Sequence, residues 1–90
     1  MRDVTKEFNE LLESNGYNSV LSFCKDAGID RANLDKNIRG VFKLSLDRAF
    51  TIANTLGVSI DDVLWIFYHD EMKKNYHEME KNYQLQLSLI

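Results

Sequence analysis

Residues 25–40 read KDAGIDRANLDKNIRG, and the spacing of glycine, aspartate and branched aliphatic residues in this stretch decides the fold. Gly28 stands where a helix would run out, and glycine most readily takes the left-handed conformation found just past a helix end. Asp30 follows with a short acceptor side chain suited to the free amides of a helix start. Leu34 and Ile38 then lie four apart on one face, and Gly40 closes the run. The stretch therefore predicts the end of one short helix, a turn of a few residues and a complete second helix. Its three aspartates take separate places: a helix end at Asp26, a cap at Asp30 and the exposed side of the new helix at Asp35.

Working outward, the same signals recur. Before the turn, Asn18 and Ser19 can cap a helix whose apolar side is Val20, Phe23, Cys24 and Ala27. Further back, Val4, Phe8, Leu11 and Leu12 mark one face of a helix over about 3–14, and Asn15-Gly16 is a natural stop. After Gly40, Ser45 caps a fourth helix carrying Leu46, Ala49, Phe50, Ile52, Ala53 and Leu56 before Gly57. Ser59 and Asp62 form a serine-x-x-acid capping pair for a fifth, with Ile60, Val63, Leu64, Ile66 and Phe67 on it. No segment before residue 83 alternates like a strand, so the body is expected to be all-α, with five helices.

Composition agrees with one small domain: 90 residues, 44% apolar, 28% charged and no proline. Cys24 is the single cysteine, which excludes an internal disulfide and points to a reducing, cytoplasmic setting. No segment resembles a signal peptide or approaches the roughly 20 apolar residues that span a bilayer, so neither secretion nor a membrane partner is expected. The formal charge of −3 is unevenly spread. Residues 1–19 hold two basic and four acidic groups, residues 20–58 six and four, and residues 59–90 three and six. Only the centre is net positive. Charges more than a Debye length of roughly 8 Å apart are largely screened in physiological salt, so an acidic total leaves room for a local anion-binding surface.

The region from about Tyr17 to Tyr68 resembles the lambda-repressor-like helix-turn-helix family, the Cro and CI type of phage and plasmid regulators. The resemblance is carried by SVLSFCKDAGI, by DRANLDKNIRG directly after the turn, and by LDRAFTIANTLGVSIDDVL, where an isoleucine-alanine pair precedes leucine-glycine-valine-serine and a capped last helix. It covers a little over half of the chain. It implies a five-helix DNA-binding domain over residues 1–68, in which the third helix enters the major groove of duplex DNA. It further implies a regulator, most simply a repressor, of a phage, plasmid or other mobile element. The chain departs from the family at Val20, where many relatives carry a polar residue, and at Leu44, which replaces a common proline.

With that expectation, the faces of the third helix acquire roles. Opposite Leu34 and Ile38, at 100° per residue, stand Ala32, Lys36 and Arg39, flanked by Asn33 and Asp35. Lys36 and Arg39 can reach guanine edges or phosphates, Asn33 can pair with adenine, and Ala32 can lie against a thymine methyl. Asp35 repels phosphate, but it can accept from a cytosine amino group or hold Arg39, four residues on, in a fixed pose. Arg31, at the start of the helix, joins the candidate DNA-binding set. Asn18, Ser19, the free amides of the second helix and Lys43 are the candidate phosphate contacts.

Residues 69–90 form a C-terminal extension expected to make a homodimer. A stripe through His69, Met72, Tyr76, Met79, Tyr83 and Ile90 has the three-and-four spacing of a coiled-coil seam, broken by Gln86. The ending YQLQLSLI instead alternates Tyr83, Leu85, Leu87 and Leu89 with polar residues, the period of a half-buried strand. A helix to about Asn82 followed by a strand paired with its copy is the expectation, as in some Cro-type relatives; a wholly helical tail, or a tail packed on its own domain, is the alternative. Two subunits would place two reading helices about 34 Å apart, matching a palindromic operator.

Catalysis is not expected. His69 and His77 are eight apart, about 12 Å along a helix axis, too far for one metal ion to bridge. No glycine-rich phosphate loop and no paired-cysteine zinc spacing occurs, and Cys24 is expected to be buried and unreactive. Trp65, Phe67, Tyr68 and Tyr76 are assigned to core and interface. No cofactor and no metal are expected. The competing functional class is an interaction protein, an antirepressor or antitoxin-like partner, that captures another protein through its acidic outer helices and terminal strand.

Overall fold

The computed structural model describes residues 2–74, and among these the chain is all-helical, with no strand. Five helices follow one another: α1 (Thr5–Ser14), α2 (Val20–Ala27), α3 (Arg31–Ile38), α4 (Leu46–Leu56) and α5 (Ile60–Phe67). Residues 69–74 continue as a sixth helical stretch. None of the described helices is long and apolar enough to cross a membrane. Of the expected dimer contacts, Tyr76, Met79, Tyr83, Leu85, Leu87 and Leu89 lie outside the described residues, as does His77.

Local chemistry sets the helix starts. Ser19, Asp30, Ser45 and Ser59 each adopt an extended conformation, and each side chain accepts from the amide three residues on. These bonds satisfy amides that have no partner inside the helix, which is why short polar residues stop the chain from winding further back. α1 is the exception. It starts at Thr5 rather than at about residue 3, with Val4 at its N-cap position making no side-chain cap. The Asp3 carboxylate accepts from both the Thr5 amide and the Thr5 hydroxyl, so Asp3 and Val4 are held outside the helix. The Thr5 hydrogen bonds hold the Asp3 carboxyl below its ordinary pKa.

All five helices contribute to one core, whose fully buried members include Phe8, Leu12, Phe23, Leu34, Leu44, Ile52 and Val63. Phe8 of α1 is its hub. Its ring meets Phe23 of α2 edge-on at 5.9 Å and Phe67 of α5 at 5.7 Å, the geometry favoured by ring quadrupoles. Leu44, at the position where the resembled family often has proline, is buried here; its carbonyl accepts from the Tyr68 hydroxyl at 2.6 Å. Val20, the other departure, is partly buried against the same core.

Part of the apolar surface of α4 and α5 stays exposed. Leu46 and Phe50, carried on α4, are 59% and 46% exposed, and Trp65, assigned to core and interface, is 47% exposed and so outside the core. Ala49, Ile52, Ala53 and Leu56 centre the buried face of α4, which leaves Leu46 and Phe50 one flank beyond the reach of the neighbouring helices. Trp65 lies across α5 from Val63 and Phe67 and meets the His69 ring at 4.5 Å.

Candidate nucleic-acid interface

The α2–turn–α3 unit is fixed from both ends. At the turn, Gly28 has φ +69°, and the Ile29 amide returns to the Cys24 carbonyl at 3.1 Å. Positive φ is inexpensive only for glycine, so this residue sets the angle between the helices. Tyr17, before α2, donates its hydroxyl to Asp26 at 2.8 Å and sets its ring edge-on against Phe23. That hydrogen bond raises the tyrosine pKa, because losing the proton would put a phenolate beside a carboxylate. Cys24 is buried, and burial pushes its thiol up as well.

At the other end of α3, Gly40 takes φ +80°. Its amide bonds the Asn37 carbonyl at 3.1 Å, and the Val41 amide bonds the Lys36 carbonyl at 2.8 Å. This double closure satisfies carbonyls that a helix end leaves free. The Ile38 carbonyl is taken by the Val4 amide at 2.8 Å, which ties the helix end to the N-terminal segment.

Asn37 is a positioning residue that the sequence pattern does not reveal. It is the one buried polar side chain among the described residues, and all its capacity goes into the α3–α4 connection. Its amide nitrogen donates to the carbonyls of Phe42 at 3.1 Å and Lys43 at 3.3 Å, while its oxygen accepts from the Arg48 guanidinium at 3.0 Å. Those partners lie five, six and eleven residues away, beyond any helical period. A polar residue beside Leu34 and Ile38 was the sole available signal.

With Leu34, Asn37 and Ile38 turned inward, the outer side of α3 presents Arg31, Ala32, Asn33, Lys36 and Arg39, all exposed, with a partly exposed Asp35 between them. Arg31, Ala32, Asp35 and Arg39 border one open depression. The expected pairing within the helix is present: Arg39 Nε lies 3.1 Å from the Asp35 carboxylate. Both side chains are largely exposed, so this pair contributes little to stability; the contact turns the guanidinium toward Asp35. Lys36 points the other way, with its ammonium 5.3 Å from the centre of the Phe42 ring. Lys43 Nζ lies 5.4 Å from the Tyr68 ring. Asn18 and Ser19 are exposed at the start of α2, but the Ser19 oxygen is already engaged by the Ser22 amide.

No known protein family, curated protein or solved structure matches this chain. Three cations, Arg31 and Lys36 on α3 and Arg39 at its C-cap, lie on an exposed helix side with no large apolar group. The arrangement suits recognition of a polyanion that also carries hydrogen-bonding edges.

A second exposed surface has the opposite chemistry. Leu46, Leu64, Tyr68, Glu71 and Met72 line a groove of about 270 Å³ between α4, α5 and the helical stretch at 69–74. Leu64, Tyr68 and Met72 are brought together along this groove. Met72 is thus placed on an apolar surface, the one expected dimer contact within the described residues.

Proposed function

We propose that this protein is a sequence-specific DNA-binding transcriptional regulator, most simply a repressor, with a lambda-repressor-like fold and α3 as its reading helix. It acts in the cytoplasm as a homodimer on a palindromic operator of a phage, plasmid or other mobile element. The observation that carries this reading is the outer face of α3. Its cations are displayed on a helix anchored at both ends, and the Asp35–Arg39 contact leaves the planar guanidinium exposed on the outer side, where it can reach a guanine edge. The aspartate lowers the overall attraction to phosphate and so favours selectivity over affinity. Lys43 and the α2 start supply the phosphate contacts that set register.

The dimer reading is supported by the apolar groove lined by Leu46, Leu64, Tyr68 and Met72. The same surface favours the second reading, a module that binds another protein. Alanine substitution separates the two. Lys36→Ala and Arg39→Ala should each weaken duplex binding at fixed salt, and the base-reading residue should also relax preference at one operator position. Variants of both residues that bind duplex DNA like the wild type would remove α3 as the reading helix. A protein complex unaffected by these substitutions and abolished by deleting residues 83–90 would favour the second reading.

A further inference from the structure

The connection after α3 holds two apolar side chains in water although its backbone is fixed. Val41 and Phe42 are 63% and 55% exposed. Beneath them, both amides donate to the Lys36 carbonyl, at 2.8 and 3.2 Å, and the buried Asn37 side chain grips the carbonyls of Phe42 and Lys43. A loose loop would fold such side chains back onto the protein; this one is hydrogen-bonded in a form that displays them. The surroundings are cationic: residues 36–46 contain Lys36, Arg39 and Lys43 and no acidic residue. The Lys36 ammonium sits over the Phe42 ring, so the apolar tip and the outer face of α3 share a side chain.

An apolar tip fringed by cations complements a duplex, in which deoxyribose rings and thymine methyls lie between phosphates. We propose that Phe42, with Val41 beside it, is a further DNA-contacting residue of the reading surface. Its ring packs against these apolar groups directly, beside the Lys36 ammonium. This inference rests on the DNA-binding reading of α3. An apolar contact releases no counterion, so it carries affinity without changing the salt dependence of binding.

The test titrates the full chain with the duplex it enriches from a randomised pool, over a series of salt concentrations. Wild type, Phe42→Ala, Phe42→Leu, Lys36→Ala and Lys43→Ala are compared, and thermal unfolding followed by circular dichroism establishes that each is folded. Phe42→Ala should weaken binding by about tenfold, the loss of roughly half a buried phenyl group, with the slope of log K against log salt unchanged. Phe42→Leu should recover most of that loss, whereas Lys43→Ala should make the slope shallower by about one. Deoxyuridine in place of thymidine assigns the contact: a loss seen for wild type and absent in Phe42→Ala places the ring on a methyl, and equal binding places it on the sugar. A folded Phe42→Ala that binds like wild type overturns the proposal and leaves the α3 reading standing. A Phe42→Ala whose slope falls as in Lys36→Ala also overturns it, because the ring then acts only through the lysine. Folded wild type that enriches no duplex removes both.

Discussion

The two halves of this small protein spend their surfaces differently. In the α2–α3 half, the buried side of α3 is narrow, with Leu34, Asn37 and Ile38, and everything opposite is polar or small. In the α4–α5 half, the buried faces are broad and apolar residues continue past them into solvent at Leu46, Phe50 and Trp65. The outer face of α3 offers charge, with exposed apolar residues only beside it at Val41 and Phe42, and suits a hydrated polyanion; α4 and α5 offer exposed apolar area on the helices themselves, suited to a protein surface, including a second copy of this chain. The contrast teaches that a weakly amphipathic helix can still be firmly held. α3 is held by its caps, by Asn37 and by the Val4 amide, so its outer side chains are free for recognition.

The largest expected effect comes from the residue that joins the halves. Phe8→Ala removes the ring lying against both Phe23 and Phe67, and should cost about 3–5 kcal/mol in chemical denaturation, a large share of a small domain's stability. One cooperative transition is expected; separate melting of the two halves would break the picture of a shared core.

Asn37→Ala comes next. It strands the Arg48 guanidinium and two loop carbonyls, at about 2 kcal/mol of unfolding free energy. Duplex binding should fall as well, because Lys36, Phe42 and Lys43 lose their common support. A loss of stability with unchanged binding would show that the loop does not serve the α3 surface.

Cap substitutions sharpen the comparison further. Ser19→Ala and Ser59→Ala each remove one N-cap bond and should each cost about 1 kcal/mol. Only Ser19→Ala should also weaken duplex binding, since the start of α2 is a candidate phosphate contact and the start of α5 is not. Equal effects on binding would erase that distinction.

The smallest effect is a pH dependence. Tyr17 has its pKa raised above the ordinary 10.0 by its hydrogen bond to Asp26. A raised folded-state value means that the stabilisation is complete below the unfolded value and is lost as pH rises through the folded one. Stability should therefore decline above about pH 10 in the wild type, and Tyr17→Phe should remove that part of the decline in melts across this range.

Much of this arrangement is legible in the sequence, for a physical reason: it is local. Ser19, Asp30, Ser45 and Ser59 cap within three residues, Gly28 and Gly40 turn the chain on their own, and Asp35 meets Arg39 one helical turn away. Periodicity also separates Leu34 and Ile38 from Lys36 and Arg39. The features that escaped depend on tertiary distance. Asn37 finds Phe42, Lys43 and Arg48 only after the chain has turned, and Tyr17 finds Asp26 across α2. Leu46, Phe50 and Trp65 lie on flanks whose burial depends on how far a neighbouring helix extends, which no period encodes. Phe42 has no sequence signature, because its exposure follows from the hydrogen bonds beneath it.

The most direct test of the DNA-reading assignment is a selection of the full chain against randomised duplex DNA at fixed, near-physiological salt. A dimer reading through α3 predicts an enriched palindrome with half-sites about one helical turn apart, roughly 34 Å, and altered preference within each half-site for Arg39→Ala. Folded wild-type protein that enriches no sequence would contradict it, and would move the function to the apolar face of α4 and α5.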